Sequence, residues 1–222
     1  MKLFFLGICA AMAGTASAQQ VTLTAADATD KAAGWTLSLQ TPKEIAGWQM
    51  ELQLPEGVTL SSKELKVGDA TFTEYDGVKL PARYGEKYKA VGTPTENGVF
   101  LFFIPVAETY TAADFQIEGT EGEACTITLN ATSYEGAAAV KITNIVASDK
   151  DGNSTDLAGA DLEKAVNHPV GDASADFLVD GSDIQTLINY IVAGEYKESV
   201  DVVKDGAIDG SDIQKVINVI LE

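Results

Sequence analysis

Oxygen-bearing side chains recur at fixed intervals in the last fifty residues. Asp172, Ser174, Asp176, Asp180 and Asp183 in one segment are answered by Asp201, Asp205, Asp209 and Asp212 in another, at a constant offset of 29 residues. Counted from the first aspartate of each segment they stand at positions 1, 3, 5, 9 and 12, and position 7 (Leu178, Ala207) offers a backbone carbonyl. Calcium takes six to eight oxygen ligands, and a twelve-residue loop that wraps it draws them from those positions. The predicted chemistry is the binding of up to two Ca2+ ions.

The two segments are copies. Aligning 172–193 on 201–222 gives 11 identities in 22 pairs, concentrated on the aspartates, the Gly-Ser-Asp-Ile-Gln block and the isoleucines beyond it, so this is an internal repeat. Each copy departs once from the ideal loop. Phe177 stands at position 6, where a sharp turn favours glycine, and a bulky residue held there in the left-handed conformation costs about 1–2 kcal/mol. The second copy keeps Gly206 but has Val203 at position 3, which removes one side-chain oxygen. Ile184, Leu187, Ile188 and Ile191 then repeat as Ile213, Val216, Ile217 and Ile220, an apolar stripe at helical spacing. Asp183 and Asp212 are expected in the first helical turn, where negative charge suits the helix dipole.

A loop followed by one helix, in duplicate, resembles a type I dockerin over residues 171–222. The resemblance implies a calcium-dependent module that plugs into a cohesin-like receptor domain on another protein. It further implies a docking face made of loop positions 10 and 11 with the helix beyond: Gly181, Ser182 and Asn189 in one copy, Gly210, Ser211 and Asn218 in the other. Since both copies carry the same residues, either could dock after a half-turn of the module.

The elements that must carry this module begin with a leader. Lys2, the apolar run from Leu3 to Ala13 and Ala16-Ser17-Ala18 read as a secretory signal peptide, residues 1–18, cleaved after Ala18, which predicts a secreted or cell-surface protein. Ile8 before Cys9 argues against a lipid anchor. Cys125 is then the one cysteine of the mature chain, so no internal disulfide forms, and its alternating flanks predict a buried thiol. The formal net charge of -18 becomes more negative once Lys2 is lost, and such a surface repels phosphate backbones and anionic lipids. Nucleic acid is excluded as a partner. No later apolar run approaches 18 residues, so no membrane insertion is expected.

From Val21 to about Ala147 the hydrophobic period is two. Trp48, Met50, Leu52 and Leu54 alternate with polar residues before the turn Pro55-Glu56-Gly57, and similar runs occur at 21–23, 35–39, 125–129 and 140–146. The run Val99-Phe100-Leu101-Phe102-Phe103-Ile104 is apolar on both faces and reads as a central strand. Many short strands separated by Gly, Pro and Asn turns predict a mainly β chain, an antiparallel β-sandwich over residues 19–150, joined by a linker at 151–170 to the small helical module at 171–222. Asp151-Gly152 favours a hairpin at the boundary, and His168 reads as a plain linker residue. Ile45 to Val58 is similar to the strand of cohesin-like domains, a jelly-roll sandwich, although a carbohydrate-binding sandwich has much the same pattern.

Nothing in the chain resembles a nucleophile elbow, a phosphate-binding loop, a zinc helix or a Cys/His cluster, which predicts a non-enzymatic protein. The expected role is calcium-dependent protein–protein interaction in a polysaccharide-degrading or adhesive assembly. The alternative is a carbohydrate-binding accessory module held to glycoside hydrolases by its dockerin, with a glycan as second partner. Self-association is a third possibility, because a receptor-like sandwich and a docking module would be complementary unlike surfaces; the module could instead fold back on its own sandwich. Since Val203 removes an oxygen whereas Phe177 adds only local strain, the second loop is expected to be the weaker. Calorimetric titration should therefore show Asp172→Ala lowering total calcium binding more than Asp201→Ala does, and the reverse order would refute the ranking.

Overall fold

A computed structural model of the chain describes residues 22–29, 31–41, 43–135, 138–156 and 162–222. The expected leader, residues 1–18, lies outside this set. The alternating segments form β1 (Thr22–Thr29), β2 (Ala32–Gln40), β3 (Gly47–Gln53), β4 (Val58–Leu60), β5 (Lys63–Val67), β6 (Ala70–Glu74) and β7 (Val78–Lys79), then β8 (Tyr88–Thr95), β9 (Gly98–Pro105), β10 (Glu121–Ala131), β11 (Ala138–Ser148), β12 (Ser154–Asp156) and β13 (Leu162–Val166). Among the described residues they make two antiparallel sheets. The smaller has the order β1-β2-β10-β4 with β7 also on β10, and the larger β12-β11-β3-β9-β8-β6-β5 with β13 also on β11. This is the mainly β sandwich that the period of two predicts.

The alternation decides which side chains meet between the sheets. Trp35, Leu37 and Leu39 of β2 and Cys125, Ile127 and Leu129 of β10 face Trp48, Met50 and Leu52 of β3, Val99, Leu101 and Phe103 of β9, and Val140 and Ile142 of β11 in one core. Trp48 stacks on Phe103, rings parallel and 3.8 Å apart, and its indole N–H donates to the Tyr84 hydroxyl at 3.0 Å. That bond satisfies two polar groups that could not otherwise be buried without cost. β9 is central, between β3 and β8, and its outward residues Phe100 and Phe102 are half-buried, which accounts for an apolar run without alternation. Of the four tyrosines in the irregular middle, Tyr75, Tyr84 and Tyr88 are buried, whereas Tyr110 is exposed. Cys125 is fully buried, and burial pushes its thiol pKa up, away from nucleophilic reactivity.

Two features of the sandwich govern how the C-terminal module attaches to it. First, β10 pairs with β2 as far as Thr128↔Gly34 and then pairs with β4 from Leu129 onward. β2 and β10 part there, which leaves the N–H groups of Ala33 and Ala131 that face the opening without a partner in the sheet. Gly34 is required at the crossing, since a Cβ there would stand 1.8 Å from the Ile127 carbonyl oxygen. Second, the stretch 151–170 is not simply a linker. Ser154–Asp156 and Leu162–Val166 both pair with β11, and the first closes the Asp151-Gly152 hairpin; residues 157–161 lie outside the described set. The mostly polar composition of this stretch masks its pairing, which rests on backbone bonds and on the buried side chain of Val166.

The C-terminal residues form α1 (Gly181–Ala193) and α2 (Gly210–Leu221), packed on each other around a second, smaller core of Ala173, Val179, Leu187, Val200, Val216 and Val219. The packed face is centred one residue earlier than the predicted stripe. Tyr190 and Val219 lie on it, while Ile188 and Ile191 are exposed, because Asp183 and Asp212 themselves point into the module. Leu101 is fully buried at the middle of β9, so Leu101→Ala should destabilise the protein by about 2–5 kcal/mol. Chemical denaturation followed by tryptophan fluorescence measures this, and a loss below about 1 kcal/mol would contradict the assignment of the core.

Candidate metal centre and docking surface

Each loop is built on the same hydrogen bonds. In the first, the Asp183 carboxylate accepts the backbone N–H groups of Ser174 at 2.9 Å and Asp180 at 2.8 Å. In the second, Asp212 accepts those of Val203 at 3.0 Å and Asp209 at 2.9 Å. Asp172 accepts from Asp176 and Phe177, and Asp201 from Asp205 and Gly206. Asp176 accepts from Leu178, and Asp205 from Ala207. The repeat thus recurs bond by bond at the 29-residue offset. Position 12 closes the loop onto position 3 while capping the helix that follows it. Asp180 and Asp209 are the N-caps of α1 and α2, accepting from Ser182 and Ser211 at 2.7 Å, and Asp183 and Asp212 complete capping boxes. The Asp-Gly-Ser-Asp sequence carries the signal for these caps.

These carboxylates are placed at an electrostatic cost. Asp172, Asp183, Asp201 and Asp212 are buried. Burial raises the Asp183 carboxyl above the ordinary aspartate range, against the pull of the Asp180 and Ser174 N–H groups. For Asp201 burial pushes the same way, but the Gly206 N–H, the Tyr196 hydroxyl and the Lys204 and Asp205 N–H groups outweigh it and the pKa falls. Hydrogen bonds from Ser182 and Ser211 lower Asp180 and Asp209. Among the described residues, no three His, Cys, Asp or Glu side chains converge as a ready-made metal cluster; the carboxylate oxygens lie on loop N–H groups instead. A carboxylate has about four lone-pair sites, so each retains acceptor capacity toward a cation. The donor set is all oxygen, which suits a hard ion.

Family comparison assigns this unit. The family model for the dockerin type I domain matches residues 170–221. Residues 170–221 form a dockerin type I domain. A dockerin is a protein–protein interaction module, and it pairs with cohesin domains. A comparison with curated proteins finds no match. Among solved structures the chain is similar to a non-cellulosomal cohesin from the hyperthermophilic archaeon Archaeoglobus fulgidus, at 11% identity and a TM-score of 0.40 over 66% of this chain and 90% of that one. It is also similar to the cohesin module of a Clostridium perfringens family 33 glycoside hydrolase (11%, 0.40, 68% and 96%) and to a type II cohesin domain from the cellulosome of Acetivibrio cellulolyticus (11%, 0.42, 67% and 94%).

The six expected docking residues, Gly181, Ser182, Asn189, Gly210, Ser211 and Asn218, are all exposed. Gln185 donates to the Asn189 side chain at 3.0 Å and Gln214 to Asn218 at 2.9 Å, so both dockerin helices present the same Ser, Gln and Asn one turn apart. No helix among the described residues is long and apolar enough to cross a membrane.

Two residues at the junction of the sandwich and the dockerin differ from their sequence reading. His168, expected as a plain linker residue, has its Nδ1 2.7 Å from Asp172 Oδ2 and its ring 4.7 Å from the Phe177 ring. Phe177, read as a defect of the loop, is fully buried and belongs to the sandwich core rather than the dockerin core. Its φ of 74° is left-handed, like the 90° of Gly206 in the second loop. The strain of about 1–2 kcal/mol is matched by the roughly 1.5–3 kcal/mol of burying a phenylalanine side chain. At Gly206 no such pocket exists, and a Cβ would meet nothing within 4 Å. Gly206→Phe should therefore lower the helical thermal transition seen by circular dichroism, by the strain alone. An unchanged or higher transition would mean that position 6 tolerates phenylalanine without a pocket.

Proposed function

We propose that this chain is an exported, non-catalytic interaction protein whose dockerin binds calcium at Asp172, Ser174, Asp176, Leu178, Asp180 and Asp183 and at Asp201, Asp205, Ala207, Asp209 and Asp212. So ordered, it docks through Ser182 and Asn189 or Ser211 and Asn218 onto a cohesin-like receptor of another protein. The observation that carries this reading is the duplicated carboxylate network at a 29-residue offset within the span that matches the dockerin family. Bound calcium would neutralise carboxylates that otherwise repel one another at the helix N-termini. The loops hold those carboxylates by their own N–H groups, and the serines that a receptor would meet are fixed by Asp180 and Asp209. The setting that fits this reading is a polysaccharide-degrading or surface-adhesive assembly.

A second reading, a polysaccharide-binding sandwich carried by the dockerin, is favoured by Tyr110 and Phe115. Both are exposed, with ring centres 5.3 Å apart, and aromatic rings of this kind can stack on a sugar face. Purified cohesin domains and a glycan array, each probed with calcium and with EDTA, separate the two. Under the leading reading cohesin binding appears with calcium and vanishes with EDTA. Ser182→Asp with Ser211→Asp weakens it at least tenfold, whereas either change alone weakens it little. Cohesin binding that survives EDTA, or glycan capture abolished by Tyr110→Ala with no cohesin bound, would overturn it.

A further inference from the structure

The first calcium loop of the dockerin lies against the sandwich, and its backbone bonds in two directions. Toward the loop, the N–H groups of Asp176 and Phe177 donate to Asp172 at 3.0 and 2.9 Å. Away from it, the carbonyls of Ala175, Asp176 and Phe177 accept from Tyr134, Ala131 and Ala33, at 2.9, 3.0 and 2.9 Å, and the Val179 N–H donates to the Lys31 carbonyl at 2.9 Å. The bonds to Ala33 and Lys31 make Leu178, the expected position-7 ligand, an isolated antiparallel bridge partner of Ala32. Together the four bonds fill the gap where β2 and β10 part. Phe177 enters the sandwich core beside Tyr134, whereas Val179, two residues on, belongs to the dockerin core. Nothing equivalent among the described residues holds the second loop, whose Lys204, Asp205, Gly206 and Ala207 are exposed.

We propose that the gap between β2 and β10 is an intramolecular docking site for the first calcium loop, so that calcium binding at that loop and closure of the sandwich edge stabilise each other, while the second loop binds calcium independently of the sandwich. Order in residues 172–178 serves both modules at once. A cation that fixes the loop fixes the carbonyls and the ring that complete the sandwich, and the seated ring holds the loop in the left-handed turn that the cation needs. Such coupling is reciprocal by linkage. The inference rests on the calcium-binding reading above, and its test keeps the two apart.

Trp35 and Trp48, the chain's two tryptophans, are both buried in the sandwich core, so tryptophan fluorescence follows the sandwich, while circular dichroism at 222 nm follows the two dockerin helices. In the intact chain, calcium well above its Kd should raise the tryptophan-monitored Tm by about 5 °C relative to EDTA. Asp172→Asn should abolish that shift and Asp201→Asn should keep it. Phe177→Gly, which restores the glycine of an ideal loop, should abolish the tryptophan shift and weaken calcium binding at the first loop at least fivefold. Phe177→Leu, which refills the pocket, should keep most of both. Calcium that raises the helical transition but never the tryptophan one, or Phe177→Gly that binds calcium more tightly with the sandwich unmoved, overturns the coupling and leaves the dockerin reading standing. Titration heats absent in the intact chain overturn both.

Discussion

The junction of this protein depends on one constraint: a backbone in tight loop conformation must find partners for N–H and C=O groups that point opposite ways. In the first dockerin loop the N–H groups turn to Asp172 and the carbonyls turn to Ala33, Ala131 and Tyr134. Buried backbone groups left unpaired cost free energy comparable to a lost hydrogen bond, so neither half of this arrangement is independently cheap. The sandwich needs an extra segment where β10 and β2 part, and the loop needs an acceptor for its N–H groups and donors for its carbonyls. Phe177 adds an apolar anchor to what would otherwise be backbone bonds alone. Lys31 extends the same contact to the far helix, donating its ammonium to the Ile220 carbonyl at 2.9 Å, where a cation suits the C-terminal end of a helix dipole.

That contact also answers an edge problem. An unpaired strand edge is a template for association with other chains, and this chain covers its open gap with the first loop of its own dockerin. Elsewhere β12 and β13 share the β11 edge in the same spirit, each bonding a different stretch of it. A module met in sequence as an appendage is therefore part of how the sandwich closes, by its first loop and not by the Ser/Asn faces of its helices.

Much of this was legible in the sequence. Period-two alternation around Trp48 and Cys125 located strands and core, and the apolar Val99–Ile104 run located a central strand. The 29-residue offset located both loops and both helices, because a repeat is evidence that needs no knowledge of packing. Three things were not legible, each for a physical reason. The pairing of Ser154–Asp156 and Leu162–Val166 rests on backbone bonds that composition does not encode, with Val166 entering the core. The helix face was misplaced by one residue because Asp183 and Asp212, polar in sequence, turn inward to close their loops. Phe177 was visible as an anomaly, yet local rules could only price its strain, since the pocket that offsets it is assembled from residues far back in the chain, around Tyr134 and, further off still, in β2.

The two copies therefore share a code and differ in context. They have in common their cap bonds and most of their loop bonds, Tyr196 and Lys204 adding donors to Asp201 and His168 meeting Asp172 alone. Both helices expose the same Ser, Gln and Asn, so a receptor that reads those three could meet either helix. A dockerin on a free linker would present its cargo alike in both cases, because the linker would absorb the half-turn. Here the first loop is fixed to the sandwich by the backbone bonds to Lys31, Ala33, Ala131 and Tyr134. Exchanging the copies on a receptor would swing the whole sandwich to the other side of the contact. If both helices dock as proposed, the chemical likeness of their exposed faces and the mechanical asymmetry of the module's attachment would together give two distinct placements of one domain from a single recognition code.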